Sequence, residues 1–234
     1  MKSIGIISTS YDATLMYLEG ISKEIERRTK DANATRLVIR YCPDFQGSGP
    51  PETKEDWDQL SAKMSQEALD LALKDKCCCV ALATDNLREV EPMVAELHEL
   101  WKCVAQKIQS QSMSAKHVLV LGTKDDMSSP FIREQLKQYS IEMVDTADYS
   151  EEIKLIDRII RERPTDDEEV VDAKELLVNF IWQVPPELPQ GLEAVILANP
   201  VLGEYICSDD PIQSQVIDAV EEHIRRLVTE ALEE

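Results

Sequence analysis

Two short apolar runs constrain the fold of this chain more than any other feature. Residues 80–87, VALATDNL, and residues 194–202, AVILANPVL, each end abruptly in small polar side chains. Such runs are typical of buried parallel strands that deliver their last side chains to a site. We therefore expect a functional site at these two strand ends.

A second pair of segments repeats at nearly the same distance. Residues 3–9, SIGIIST, and residues 117–123, HVLVLGT, both precede helix-forming stretches. Ser3 and His117 lie 114 positions apart (117 − 3), and Ala83 and Ala198 lie 115 apart (198 − 83). The shared offset indicates two similar halves, although apolar strands recur at such distances in any α/β chain.

Composition restricts the partners and the compartment. The 234 residues suffice for one large or two small α/β domains, and 45 acidic against 25 basic residues give a formal net charge of −20. Such a charge argues against nucleic acid or an anionic membrane as partner. No apolar run approaches membrane-spanning length, and the first one is too short for a signal peptide. We predict a cytoplasmic protein.

The six cysteines fit this prediction. Cys77, Cys78 and Cys79 are consecutive, and none of the six has the CxxC spacing of a zinc site. We expect free, buried thiols that act as small hydrophobic residues, and no metal site.

Strand-like and helix-like segments alternate along the whole chain. The predicted strands are 3–8, 36–41, 77–84, 117–123, 141–144 and 194–198, and the predicted helices are 13–28, 55–74, 90–110, 131–139, 151–163, 166–182 and 212–232. This alternation predicts an α/β fold with parallel sheets. Ligands of such sheets bind beyond the carboxyl ends of the strands.

Five motifs together resemble the aspartate/glutamate racemase superfamily. They are the opening residues 1–7 with their helix, the strand ends CPDF (42–45) and ATDN (83–86), the turn LGT (121–123) with Met127, and VILA (195–198). Their order and spacing cover nearly the whole chain.

The resemblance implies two pseudo-symmetric three-layer α/β domains with an active-site cleft between them. The expected bounds are residues 1–100 plus 205–234 for the first half and 101–204 for the second. Members of the superfamily work without a cofactor, so no cofactor is expected here, and a homodimer is the default assembly. Two cysteines, one at each third-strand end, exchange the proton of the substrate carbon.

This sequence departs from the superfamily pattern at both cysteines. Thr84 matches the first cysteine and Asn199 matches the second, and Ser8-Thr9-Ser10 replaces the usual glycine pair after the first strand. A hydroxyl or a carboxamide cannot serve as the proton acceptor in place of a thiol. Racemisation by two thiols is therefore not expected.

The candidate site residues follow from this comparison. The catalytic candidates are Thr84, Asn199 and Cys42, and the substrate-binding candidates are Ser8, Thr9, Ser10, Asp44, Asp85, Asn86, Thr123 and Lys124. Cys42 is alternatively an ordinary cysteine at a strand end, and the two aspartates are alternatively helix caps or ion-pair partners. His98 and His223 are expected within helices, and His117 at the strand end away from the cleft.

Two functions remain open. The first is a diverged, cofactor-independent isomerase, lyase or decarboxylase that acts on a small carboxylate or carbonyl compound, held by uncharged hydrogen-bond donors. The alternative is a catalytically inactive, racemase-like module that binds a metabolite or a protein.

Overall fold

The computed structural model forms two compact units, Met1–Leu100 with His223–Glu234, and Trp101–Glu222. It describes residues 2–31, 34–42, 51, 53–84, 88–95, 97–110, 116–184, 192–206 and 215–233. The chain returns to the first unit at His223, whereas the sequence predicts this return at residue 205.

The first unit contains a three-stranded parallel sheet. Its elements are β1 (Ser3–Ser8), α1 (Tyr11–Thr29), β2 (Leu37–Tyr41), α2 (Lys54–Leu73), β3 (Cys77–Ala83) and a 3-10 helix (Arg88–Met93). The strand order is β2-β1-β3, and Ser8 pairs with Tyr41 on one side and with Ala83 on the other.

The second unit contains a four-stranded parallel sheet in the order β5-β4-β6-β7. Its elements are β4 (His117–Leu121), α4 (Lys124–Ser128), α5 (Pro130–Lys137), β5 (Glu142–Met143), α6 (Ser150–Glu162), α7 (Asp167–Gln183), β6 (Ala194–Leu197), a 3-10 helix (Pro200–Glu204) and β7 (Gln215–Asp218). The helices α3 (Leu100–Ser110) and α8 (Ala219–Leu232) begin in one unit and continue into the other.

The two sheets share the order of their first three strands. β4 takes the central place that β1 has in the first sheet, and β6 takes the place of β3. These are the strands related by the offset of 114 to 115 residues. The predicted α/β class with parallel sheets is confirmed.

Apolar periodicity builds the core of each unit separately. In the first unit, Leu60, Met64 and Leu71 of α2 pack with Ile7 and Leu82 of the sheet. In the second unit, α6 and α7 pack their apolar faces with β4 and β6. Burial of these side chains is the main favourable contribution to folding.

The predicted helix 90–110 is wrong, because the structure interrupts it. Pro92 lies in the 3-10 helix, and Leu97 forms a parallel bridge with Val80 of β3. The buried carboxylate of Glu91 then accepts a hydrogen bond from the backbone N–H of Leu100 at 2.9 Å, where α3 begins. Pairing with β3 therefore decides the conformation of this segment.

The predicted helix 212–232 is also wrong over its first part. Residues 215–218 form β7, which pairs with β6, and α8 starts only at Ala219. The carboxylate of Asp218 accepts a hydrogen bond from Glu221 N at 2.8 Å, which satisfies a donor of the first helical turn. A strand followed at once by an amphipathic helix has an apolar pattern that resembles one longer helix.

The predicted burial of the cysteines is confirmed for some of them. Cys77 and Cys79 are buried free thiols, whereas Cys78 is exposed because alternate residues of a strand face opposite sides. The sixth cysteine, Cys207, lies outside the described residues.

None of the described helices combines the length and the hydrophobicity that a bilayer crossing requires.

A buried carboxylate connects α1 with α8 inside the first unit. Glu24 accepts two hydrogen bonds from Arg27 and one from Arg28 at 2.6–2.8 Å. Arg28 also donates to the Thr229 hydroxyl at 2.8 Å and to the Arg225 carbonyl at 3.2 Å, both on α8. The Arg27 hydrogen bond, opposed by burial and assisted by Arg28, lowers the pKa of Glu24 from 4.5 to about 2.

We predict that Glu24→Gln destabilises the protein by about 1–3 kcal/mol at pH 7. Because the folded-state pKa is lowered, the stabilisation is complete above about pH 4.5 and is lost as the pH falls towards 2. The difference from wild type, measured by urea denaturation at several pH values, should therefore shrink in that interval. Glu19→Gln, which removes an exposed pair with Lys23, is the control and should cost little at any pH. A Glu24 effect that persists unchanged at pH 2.5 would contradict this assignment.

Candidate functional site

The three strands of the first sheet end side by side. Beyond the strands proper, Thr9 N donates to the Ala83 carbonyl at 3.0 Å, and Cys42 N donates to the Ser8 carbonyl at 2.7 Å. These bonds extend the parallel ladder by one residue. They bring four of the predicted site positions, Cys42, Ser8, Thr9 and Thr84, to one edge of the sheet.

A direct side-chain hydrogen bond joins two of these strand ends. The Thr9 hydroxyl donates to the Thr84 hydroxyl at 2.9 Å, across 75 positions of sequence. Both side chains are buried, with 1% and 5% of their residue surface exposed. Accepting this bond polarises the Thr84 hydroxyl and strengthens it as a donor.

The neighbouring hydroxyls hold the start of α1. Ser10 is the N-cap and accepts from Ala13 N at 3.4 Å. The hydroxyls of Ser8 and Thr14 both donate to the Ser10 carbonyl, at 3.1 and 2.5 Å, and they contact one another. We call Ser8, Thr9, Ser10 and Thr84 the hydroxyl edge.

Cys42 is a described cysteine that the sheet ladder places at this edge. It is half-buried and follows β2 directly. Cys77 and Cys79 lie in the opposite half of β3, since Cys77 pairs with Ser3 at the start of β1. Burial raises the pKa of both buried thiols, which makes them poor nucleophiles and bases.

Three predicted binding residues, Asp44, Asp85 and Asn86, lie outside the described residues.

In the second sheet, the polar strand ends serve as helix caps. Thr123 forms a reciprocal capping box with Asp126 at the start of α4, with side-chain to backbone bonds of 3.2 and 2.9 Å. The Asn199 side chain accepts from Val201 N at 3.1 Å. Lys124 is exposed, and its backbone N–H donates to Asp157 at 3.3 Å. Each of these groups has a structural role in the second unit.

Sequence reasoning missed a buried polar cluster in the first unit. The Tyr17 hydroxyl is 2.7 Å from Nδ1 of His223, and both residues are fully buried. Nε2 of His98 is 3.0 Å from the Glu230 carboxylate, and the two imidazole rings are stacked with centroids 6.2 Å apart. His98 lies before α3, not within a helix as expected. Because these residues are far apart in the chain, no local sequence motif predicts the cluster.

The architecture therefore defines a class: an α/β protein with two parallel sheets of matching strand order and polar side chains at their carboxyl ends. The solved structures that match this chain over nearly its full length include the following three. An aspartate racemase homologue from Pyrococcus horikoshii is 26% identical with a TM-score of 0.77, over 100% of both chains. A proposed Asp/Glu racemase from Yersinia pestis is 18% identical with a TM-score of 0.79, also over 100% of both chains.

The third is the aspartate racemase of Picrophilus torridus, 18% identical with a TM-score of 0.66, over 99% of this chain and 94% of the other. No family model and no curated protein sequence matches the chain. The 26% identical Pyrococcus horikoshii structure supports membership of the chain in the aspartate/glutamate racemase superfamily, and the two 18% identical structures show the same fold.

We predict that the Thr9 and Thr84 hydroxyls are energetically coupled. Thr84→Val removes the acceptor and leaves a buried donor unsatisfied, which costs about 1–3 kcal/mol, and Thr9→Val has a cost of the same order. The double variant leaves no unsatisfied donor. Its loss of unfolding free energy should therefore be smaller than the summed losses of the two single variants, by about 1 kcal/mol. Urea denaturation of the four proteins measures this coupling, and strictly additive values would show that the hydrogen bond contributes nothing.

Proposed function

We propose that the protein is a diverged, cofactor-independent isomerase or lyase that acts on a small carboxylate or carbonyl compound at the hydroxyl edge. The observation that carries this proposal is the buried Thr9–Thr84 pair. It joins neighbouring strand ends at the position where the superfamily resemblance places a thiol. On this proposal, the site keeps polar side chains at that position, and the hydroxyl of Thr84 stands where the resemblance places the acid–base thiol.

The Thr84 hydroxyl, which accepts the hydrogen bond from Thr9, suits the stabilisation of developing negative charge. When a proton leaves the carbon next to a carbonyl group, the electron pair of the C–H bond moves to the oxygen, giving an enolate. Fixed hydroxyl donors at a buried site stabilise such an oxygen more than water does, because they need no reorganisation. They cannot themselves remove the proton at neutral pH.

Cys42 is the proposed base. Its backbone is bonded to Ser8, so its position relative to the hydroxyl edge is fixed by the sheet ladder. With Cys42 as the thiolate, the C–H bond of the substrate breaks as an S–H bond forms on the sulfur, and the enolate then either takes a proton back or expels a substituent from the adjacent carbon. One base is sufficient for either outcome, which distinguishes this chemistry from racemisation by two thiols.

The alternative, a non-catalytic binding module, is favoured by a different observation. The hydroxyls of Ser8, Thr9 and Thr14 all donate to acceptors within the protein. A network that is satisfied internally can rigidify a fold without contacting a substrate. This reading keeps ligand recognition but removes the chemical step.

Proton NMR in deuterated buffer tests the proposal with a panel of amino acids, dicarboxylates, malonates and hydroxy acids. We expect loss of an α-proton signal or formation of a new product with at least one compound. Cys42→Ser should abolish this activity, because an alcohol cannot replace the thiol as base, and Thr84→Val should lower the rate about 10²–10³-fold.

Two matched controls accompany these variants. Thr84→Ser keeps the hydroxyl and should retain most of the activity, and Cys78→Ser removes an exposed cysteine of β3 without touching the strand ends. Activity that survives in both Cys42→Ser and Thr84→Val would overturn the site assignment. Ligand-induced shifts without any exchange or product would instead support the binding module.

A further inference from the structure

The outward face of α2 carries apolar side chains that the packing of the first unit leaves exposed. Leu60, Met64 and Leu71 of this helix lie in the core. Leu69 and Leu73, one helical turn apart, have 36% and 74% of their residue surface exposed. The value for Leu73 is the highest among the large hydrophobic side chains that the structure describes. One exposed leucine is common on a protein surface, but two neighbouring leucines on one helix face form an apolar patch.

The same face continues towards the start of the helix with small side chains. Ala62, Ser65, Leu69 and Ala72 follow one another at spacings of three, four and three residues, and all four are exposed or half-buried. This is the spacing of the a and d positions of a heptad repeat, by which two helices pack side by side. We call these four residues, with Leu73, the α2 seam. Its leucines lie in the C-terminal half of the helix, and Ala62 and Ser65 lie in the N-terminal half.

We propose that a second copy of this chain covers the α2 seam, with the two α2 helices antiparallel about a two-fold axis. In such a pair, Leu69 packs against the partner's Ser65 (69 + 65 = 134), and Ala72 packs against the partner's Ala62 (72 + 62 = 134). The common sum means that one two-fold axis satisfies both contacts and their symmetry mates. A parallel pair would instead set Leu69 against Leu69 and Ser65 against Ser65, which alternates crowded and empty layers. The proposal is independent of the chemistry at the hydroxyl edge.

The exposed charges at the two ends of α2 favour the same orientation. Asp58 lies in the first half of the helix, and Lys76 follows shortly after its last residue, Leu73. Both charged residues are exposed. The antiparallel pair brings Asp58 towards the partner's Lys76 at each end, since 58 and 76 also sum to 134. A parallel pair would place like charges together and would align the two helix dipoles unfavourably.

The size of the seam sets the expected strength of the association. α2 has 20 residues and is therefore about 30 Å long. A single pair of such helices covers less than the roughly 800 Å² per partner of a typical stable interface. We therefore expect a concentration-dependent dimer with a dissociation constant in the micromolar range, not an obligate one.

Sedimentation equilibrium of the full-length protein tests the proposal. We expect a monomer–dimer equilibrium, and Leu73→Glu should raise the dissociation constant at least about 100-fold, because it places a charge in the apolar contact of each copy. Leu155→Glu on α6 makes the same change at another exposed leucine and should leave the equilibrium unchanged. Far-UV circular dichroism should show native secondary structure in both variants. A chain that stays monomeric up to about 200 µM, or a dimer that Leu73→Glu leaves intact, would overturn the proposal.

Two further sets of variants test the antiparallel register. Asp58→Lys should raise the dissociation constant about tenfold, and adding Lys76→Asp should restore most of the affinity. In a Cys78→Ser background, the double variant Ala62→Cys/Ala72→Cys should form a disulfide-linked dimer on mild oxidation, seen on a non-reducing gel. Each single cysteine variant should not, because identical positions lie about 15 Å apart along the axis of the pair. Cross-linking by the single variants, or none by the double variant, would rule out this packing.

Discussion

The parallel backbone ladder around β1 is the constraint on which the candidate site depends. β1 is the central strand of its sheet, and its isoleucines at positions 4, 6 and 7 have no exposed surface. A parallel register that slipped by one residue would exchange the two buried faces of the strand. It would also put a side chain in the place of Gly5, where a Cβ atom meets Cys77 and Leu71 at 3.3 Å. The register is therefore tightly specified, and the same register sets Ser8 and Thr9 beside Cys42 and Ala83. The position of the hydroxyl edge therefore follows from the burial of β1.

Polar strand ends in the two units differ in what their side chains do. In the second unit, Thr123 and Asn199 bond to backbone groups no more than three residues away, so their role is explained by helix capping. In the first unit, Thr9 bonds to a side chain on another strand. Capping accounts for Ser10 but not for the Thr9–Thr84 pair. This contrast is the reason for placing the chemistry in the first unit.

The sequence was sufficient for the elements whose apolar pattern is purely local. β1, β3, β4 and β6 are continuous apolar runs bounded by polar residues, and both their places and their repeat offset were predictable. β7 was missed because four residues joined to a helix carry too little pattern, and its identity depends on pairing with β6. The break before α3 depends in the same way on the bridge between Leu97 and Val80.

The histidine cluster was unpredictable for a related reason. His98 and His223 lie 125 positions apart (223 − 98), and the local sequence around each has no recognisable motif. They come together only because α8, which follows the second unit in the chain, returns to the first unit. Tyr17 on α1 completes the contact, which no pattern of spacing encodes.

The overall charge bears on how an acidic protein could bind a carboxylate at the hydroxyl edge. A net charge of −20 repels anions at long range, but salt screens such interactions beyond about 8–10 Å at physiological ionic strength. At closer distance the local donors decide the binding energy. Neutral hydroxyls also avoid the cost of burying a thiolate, which would be large in a negatively charged molecule. On the proposed function, Thr84 therefore recognises charge through a hydrogen bond, and Cys42 is the one group of the site that has to ionise.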